Sequence, residues 1–214
     1  MAAKLKGRDR KVRGMDNSNK IILDLCGGTG AWSKPYKEAG YNVRVITLPE
    51  YDVCTYIPPE NVYGILAAPP CTEFSLAKGN KQRDFESAME IVRACMNIVW
   101  NCRQKGKLKF WALENPRGFL RQFLGNPPFT FEQWEFGDNG IKFTDIWGYF
   151  KLPTKSVFNK PDDLVKRFPN GRTNGRGMSV PLVPEEYKGL GLNRAALRAI
   201  TPQGFAKAFF KANQ

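Results

Sequence analysis

Lys20-Ile21-Ile22-Leu23-Asp24-Leu25-Cys26-Gly27-Gly28-Thr29-Gly30-Ala31-Trp32-Ser33 is the stretch whose reading decides the fold. Its first six residues are a short β-branched run of the kind that forms a buried strand. A glycine-rich turn follows. A helix is predicted from about Ser33 to Ala39, ended by Gly40, and Tyr41 to Thr47 alternates as a second strand. Strand, glycine turn, helix and strand make a βαβ unit, which implies a parallel sheet. The fold class is therefore α/β, with a mostly parallel, doubly wound sheet.

Further along, Leu48 to Pro59 reads as loop and Tyr63 to Ala68 as a third strand. Pro69 and Pro70 stop it, since neither donates to a ladder and both fix φ. Cys71 stands immediately after the stop. Phe85 to Cys102 carries apolar residues at i, i+3, i+4 and i+7, the clearest helix in the chain, with its Met and Cys residues as packing groups. Leu108 to Leu113 reads as a fourth strand, closed by Glu114-Asn115-Pro116. Phe129 to Phe136 and Ile141 to Phe150 are expected as two late strands, with Asp138-Asn139-Gly140 as a turn. Pro202 to Ala212 reads as a terminal helix. The expected organisation is a basic tail over 1–18, a cofactor-binding and catalytic α/β domain over 19–148, a small irregular basic lobe over 149–192, and a return to the main domain over 193–214.

The 214 residues carry 33 Lys and Arg against 20 Asp and Glu, a formal charge of +13. That excess favours a polyanionic partner, most plausibly nucleic acid. The tail (Lys4, Lys6, Arg8, Arg10, Lys11, Arg13) and the loop 170–177, with Arg167, Arg172 and Arg176, are the expected phosphate contacts. There is no histidine, so acid–base work falls to carboxylates, Lys, Tyr, Cys or water, and zinc sites built on His are excluded. Five cysteines without a CxxC pair argue against a disulfide framework and for a reducing cytoplasm. Apolar runs are too short to span a bilayer, and neither a secretory signal nor a metal site is expected.

Asp24 ends the first strand, and Gly27, Gly28 and Gly30 let backbone approach a ligand closely. The dinucleotide fingerprint wants a third Gly or Ala where Ser33 stands, so a pyrophosphate is disfavoured and a cofactor without one, such as S-adenosylmethionine, fits better. In a doubly wound sheet of order 3-2-1-4-5, ligands bind outside the carboxyl ends of the strands. The glycine turn, the Pro-Pro-Cys turn and Glu114 would then follow neighbouring strands and converge on one crevice.

These residues resemble the cytosine-C5 DNA methyltransferases. Asp24 to Gly30 is similar to that family's cofactor motif, Ala68-Pro69-Pro70-Cys71-Thr72-Glu73-Phe74-Ser75 to its nucleophile motif, and Glu114-Asn115-Pro116 to its Glu-Asn-Val motif. The resemblance covers residues 20–120, and more weakly the stretch Arg198 to Pro202. It implies a Rossmann-like S-adenosylmethionine-dependent methyltransferase fold, with Cys71 as nucleophile toward cytosine C6 and Glu114 as the partner of the ring. Cofactor contacts are expected from Asp24, Cys26, Gly27, Gly28, Gly30, Ala31, Trp32, Thr47, Asp52, Val53, Pro69 and Thr201, with Ser75 among the DNA contacts. The target base must leave the duplex or already be unpaired. The small size resembles stand-alone phage forms, expected as monomers.

The chain departs from that pattern in four places. The family's acidic residue at the end of strand two is not found where Thr47 stands, and Glu50 is the nearest stand-in. The family's Gln-x-Arg-x-Arg motif is missing, and Lys142 is the nearest basic stand-in. Pro116 replaces Val. Only about Tyr149 to Leu192 is available for target recognition, so sequence readout should be short or loose. An amino-methylating DNA enzyme would want a hydrogen-bonding residue at Ala68 and an aromatic at Cys71. The same thiol chemistry on RNA, on a nucleotide or with a variant cofactor stays open, as does a non-catalytic nucleic-acid-binding module.

Overall fold

Strands that are apolar on both faces need a layer of helix on each side. The computed structural model describes residues 16–138, 140–167 and 185–214. The elements are β1 (Ile21–Leu25), α1 (Lys34–Glu38), β2 (Asn42–Ile46), β3 (Val62–Ala67), α2 (Phe85–Gln104), β4 (Phe110–Pro116), α3 (Arg121–Leu124), β5 (Phe129–Glu132), β6 (Phe143–Tyr149), α4 (Asp162–Arg167), α5 (Arg194–Ala199) and α6 (Gln203–Ala212). The strands form one six-stranded mixed sheet in the order β2-β1-β3-β4-β6-β5. β2, β1, β3 and β4 pair in parallel, while β6 is antiparallel to both of its neighbours. The protein is thus α/β with a mostly parallel sheet. Among the described residues no strand lies outside β2, so the outermost strand of a 3-2-1-4-5 order is missing and β2 is an edge.

Alternation sends successive side chains of each strand to opposite layers. Ile21, Leu23 and Leu25 of β1 join Ile65, Ala67, Leu113 and Trp147 against Val92, Cys95, Ile98, Val99 and Cys102 of α2. Ile22, Leu66, Phe110, Ala112 and Ile146 meet Trp32, Tyr36, Phe205 and Phe209 on the other face. Each such large side chain contributes about 1.5–3 kcal/mol when fully buried. α2 begins where the Asp84 carboxylate accepts the Ser87 N–H at 3.0 Å.

Several expectations need correction. Glu114, Asn115 and Pro116 do not close the fourth strand but continue it. β3 stops pairing at Leu113, whereas β6 goes on pairing with Glu114, Asn115 and Pro116. Phe129 to Phe136 divides into β5 and a 3₁₀ turn, Gln133–Phe136. Asp138, expected in a simple turn, reaches across the chain and caps α6, accepting from Gly204 N at 3.1 Å and Phe205 N at 3.2 Å. The stretch after β6 is not a free basic lobe up to α4. Lys155 pairs with Glu135 at 2.6 Å and Lys160 with Glu132 at 3.2 Å, while Leu164 is buried against Trp134. Asn17, assigned to the tail, donates to the Ala39 carbonyl at 3.0 Å and belongs to the domain. Residues 1–15 of the tail and Arg172, Arg176 and their loop lie outside the described residues; Arg167 is the last residue of α4.

β6 sits close to β4 because residue 148 is glycine: a Cβ there would lie 2.2 Å from the Trp111 carbonyl oxygen, and its φ is +142°. Asp145, fully buried on β6, receives Arg121 Nε and Nη2 at 2.6 Å each and Thr130 Oγ1 at 2.8 Å. Removing the cation leaves a buried carboxylate without its ion partner. Arg121→Met should therefore lower unfolding stability by about 3–5 kcal/mol in urea titration, and adding Asp145→Asn should recover most of that loss. A loss below about 1 kcal/mol would show that the pair is not what ties α3, β5 and β6 together.

Candidate active site

Leu25 is the register partner of Ala67, and Ala67 of Leu113. The ends of three adjacent parallel strands therefore stand in one row. Immediately beyond that row lie the glycine turn after β1, the Pro-Pro-Cys turn after β3 and Glu114 on β4. The strands that carry these three groups are neighbours in the sheet, as expected.

The cysteine turn is held from several sides. Ala68 N donates to the Leu25 carbonyl at 2.9 Å, and the buried Asn115 amide donates to the Pro69 carbonyl at 3.0 Å. The Cys71 carbonyl accepts from Phe74 N at 3.1 Å and Ser75 N at 2.8 Å. Phe74 is fully buried, with its ring against Phe85 and Phe123. Arg83 donates to the carbonyls of Glu73 and Ser75, and Glu73 also pairs with Lys78. Cys71 itself is half-buried.

Lys142 Nζ stands 3.9 Å from Glu114 Oε1, both side chains being largely enclosed. Burial raises the Glu114 carboxyl above its ordinary range; Lys142 opposes this and Asp145 adds to it. Burial also raises the Cys71 thiol, with Lys142 and Arg198 pulling it down and Glu114 pushing it up. Thiol, carboxyl, ammonium and guanidinium thus share one electrostatic neighbourhood. On balance the surroundings favour the thiol over the thiolate.

Beneath the glycine turn, Asp24 is fully buried. It accepts Ser33 Oγ at 2.5 Å, and its Oδ1 has no hydrogen-bond partner. Burial pushes its carboxyl up to about 6, against the Ser33 hydrogen bond. Gly27 is required by this arrangement, since a Cβ would fall 2.4 Å from the Asp24 carboxyl carbon. Cys26 and Gly28 take positive φ, at 56° and 53°, which turns the backbone out over the strand ends. The Cys95 thiol lies beside Cys26 and draws its pKa down. Asp52 is exposed and near enough to Cys26 to act on it electrostatically.

Other expected contacts have structural employment. Trp32 is 2% exposed and packs on Phe205 and Phe209, and Ala31 is buried beside it, so both belong to the core. Val53 is likewise buried, in the α2-side core. The Thr47 carbonyl accepts Tyr51 N at 3.0 Å. Ser75 Oγ caps the 3₁₀ turn at Ala77 N, 3.2 Å away. Pro69 contributes its carbonyl to Asn115 rather than a free face, and half-buried Thr201 lies between α5 and α6. Lys142, singled out only as a stand-in, is placed at Glu114. Arg198 and Asn115 were not singled out as site residues; their sole signal was membership in the quoted stretches.

A cavity of ≈ 460 Å³ adjoins the glycine turn on its α1 side, lined by Thr29, Lys34, Lys37, Val43, Val45 and Tyr187 among others. None of its lining residues belongs to the Cys71–Glu114–Lys142 cluster, so the cavity does not locate the reactive groups. Among the described residues no group of His, Cys, Asp or Glu gathers to hold a metal ion, and no helix is long and apolar enough to cross a membrane. No protein-family model matches the chain, and no curated protein matches it either.

The charges around Cys71 set the sign of two substitutions. Alkylation of Cys71 by iodoacetamide, followed by peptide mass spectrometry across pH, should have a midpoint above the ordinary thiol range. Glu114→Gln should move it down and Lys142→Met up; equal midpoints in all three proteins would remove both groups from the thiol's surroundings. Asp24 makes a second prediction. An acid raised from 3.8 to about 6 in the fold favours the native state fully below its ordinary range, and that contribution is lost as pH rises through 6. Roughly 3 kcal/mol is at stake by neutral pH. Asp24→Asn should flatten this part of the stability–pH curve, measured by thermal melting between about pH 4 and 7.

Proposed function

We propose that this protein is an S-adenosylmethionine-dependent DNA methyltransferase that modifies cytosine at C5 through a covalent adduct with Cys71. The observation that carries the reading is the shared row of strand ends, which gathers a glycine turn, a thiol on a rigid proline turn and an enclosed carboxyl–lysine pair. A structural thiol has no need of these neighbours. The residues at the glycine turn fit the cofactor: Gly28 opens onto free space, and Asp24 holds a buried oxygen without a partner. Gly27, Gly28, Gly30 and Asp24 would hold its amino-acid end, with Asp52 toward the adenosine. The side chains of Trp32, Ala31 and Val53 are buried in the core.

Bound there, S-adenosylmethionine supplies an electrophilic methyl group. Cys71 Sγ, as thiolate, adds to C6 of an unpaired or extruded cytosine. The S–C6 bond forms and the ring's electron pair moves to C5, which becomes nucleophilic. Glu114, raised by burial, holds a proton for N3 while negative charge develops there. Lys142 and Arg198 favour the thiolate over the thiol. Once C5 carries its new substituent, the C5 proton leaves to a base and the S–C6 bond breaks, returning its pair to sulfur. The excess of Lys and Arg supplies affinity for the polyanion.

The test is product identity. The protein is incubated with DNA and labelled S-adenosylmethionine, and the DNA is digested to nucleosides. 5-Methylcytosine is expected, abolished by Cys71→Ser and reduced at least about 100-fold by Glu114→Gln. An N4- or N6-methylated base would sink the C5 assignment. Label that never enters DNA, from a folded protein that binds the cofactor, would favour another substrate.

A further inference from the structure

At the end of the β4–β6 ladder Arg117 and Phe143 form an exposed pair. The Arg117 guanidinium lies over the Phe143 ring, 4.1 Å from its centroid, and the two backbones are joined by Arg117 N donating to the Phe143 carbonyl at 3.0 Å. Arg117 is exposed and Phe143 is 40% exposed, an unusual position for a phenylalanine at a strand end. The pair stands at the same end of the β4–β6 ladder as Glu114 and Lys142, with its side chains on the opposite face of the sheet. Arg117 follows Glu114 by three residues at the end of β4, and Phe143 directly follows Lys142. Its charge is also available. Lys142, Arg121, Lys78, Lys155 and Lys160 each face a carboxylate, whereas none of the described ion pairs includes Arg117.

An uncompensated guanidinium backed by an aromatic ring suits one kind of ligand: a phosphodiester next to the face of an unstacked base. The phosphate meets the N–H groups and the base stacks on the cation–ring surface. We propose that Arg117 and Phe143 are the docking platform for one nucleotide of an unpaired DNA strand that crosses the end of the sheet. This rests on the nucleic-acid reading above and adds to it the residues that seat the strand beside the β4–β6 ladder.

The full chain is titrated against a fluorescein-labelled single-stranded DNA oligonucleotide, with anisotropy read at several salt concentrations. Wild type should bind. Arg117→Ala should weaken binding and lower the magnitude of the salt slope by about 0.7, the loss of one phosphate contact on a single strand. Phe143→Ala should weaken binding roughly fivefold or more at every salt concentration and leave the slope unchanged. Arg44→Ala, which removes an exposed charge from the edge strand β2, serves as the control and should retain wild-type affinity. Phe143→Leu, which keeps an apolar side chain without the ring, stands in if the alanine variant melts early, and should show the same loss. Failure of the wild type to bind, variants that bind within about twofold of it, or an equal loss in Arg44→Ala would overturn the platform. Methyl transfer unaffected by either substitution would also overturn it while leaving the enzymatic reading intact. Binding that depends on Arg117 and Phe143, without any methyl transfer, would keep the platform and sink the methyltransferase.

Discussion

Past Leu113 the strand β4 has a neighbour on one side only, and that neighbour runs the other way. β3 has already left the sheet as the Pro-Pro turn, so β6 alone pairs with Glu114, Asn115 and Pro116. Much of the candidate site hangs on this one-sided ladder. It keeps Glu114 extended at the crevice, carries Asn115 to the Pro69 carbonyl, and brings Lys142 to Glu114 as the residue just before β6. The ladder is made possible by Gly148, where any side chain would collide with β4, and it is anchored by Asp145 in the grip of Arg121 and Thr130. A parallel strand in place of β6 would enter from the opposite end of the sheet and could not deliver Lys142 this way.

Enclosure and charge work against one another around Cys71. Burial raises both the thiol and the Glu114 carboxyl, and each rise has an opposite use. A protonated carboxyl is ready to donate, whereas a protonated thiol is unready to attack. Lys142 acts on both, and Arg198 adds to the pull on the thiol. Burial thus favours the thiol while two cations pull the other way.

The βαβ unit and helix α2 were legible in the residues themselves, whereas the order of the glycine, cysteine and glutamate strands came from the general pattern of doubly wound sheets. Periodicity and proline or glycine punctuation are local signals, and these elements are locally specified. The place of β6 was not legible. Alternation in Phe143–Tyr149 specifies which residues face a layer, but not which strand lies alongside or in which direction. The same holds for Asp138, whose partners at Gly204 and Phe205 are far along the chain. Trp32, expected beside a cofactor, packs on Phe205 and Phe209 of α6, a contact with residues too far along the chain for local pattern to reveal. Lys155 and Lys160 looked like free positive charge because their carboxylate partners sit 20 and 28 positions earlier.

The aromatic packing of α6 has a consequence for how the molecule comes into being. The core beneath the glycine turn is closed by Phe205 and Phe209, and Tyr36 reaches the Asn213 carbonyl 177 positions downstream. During synthesis the βαβ segment therefore emerges with half of its apolar surface uncovered and waits for the helix that covers it. Contacts of such separation slow folding and leave hydrophobic strands open to chaperones in the interval. The glycine turn is synthesised well before α6 and settles only once that helix packs beneath it, so the shape of the turn depends on the helix as well as on its own residues.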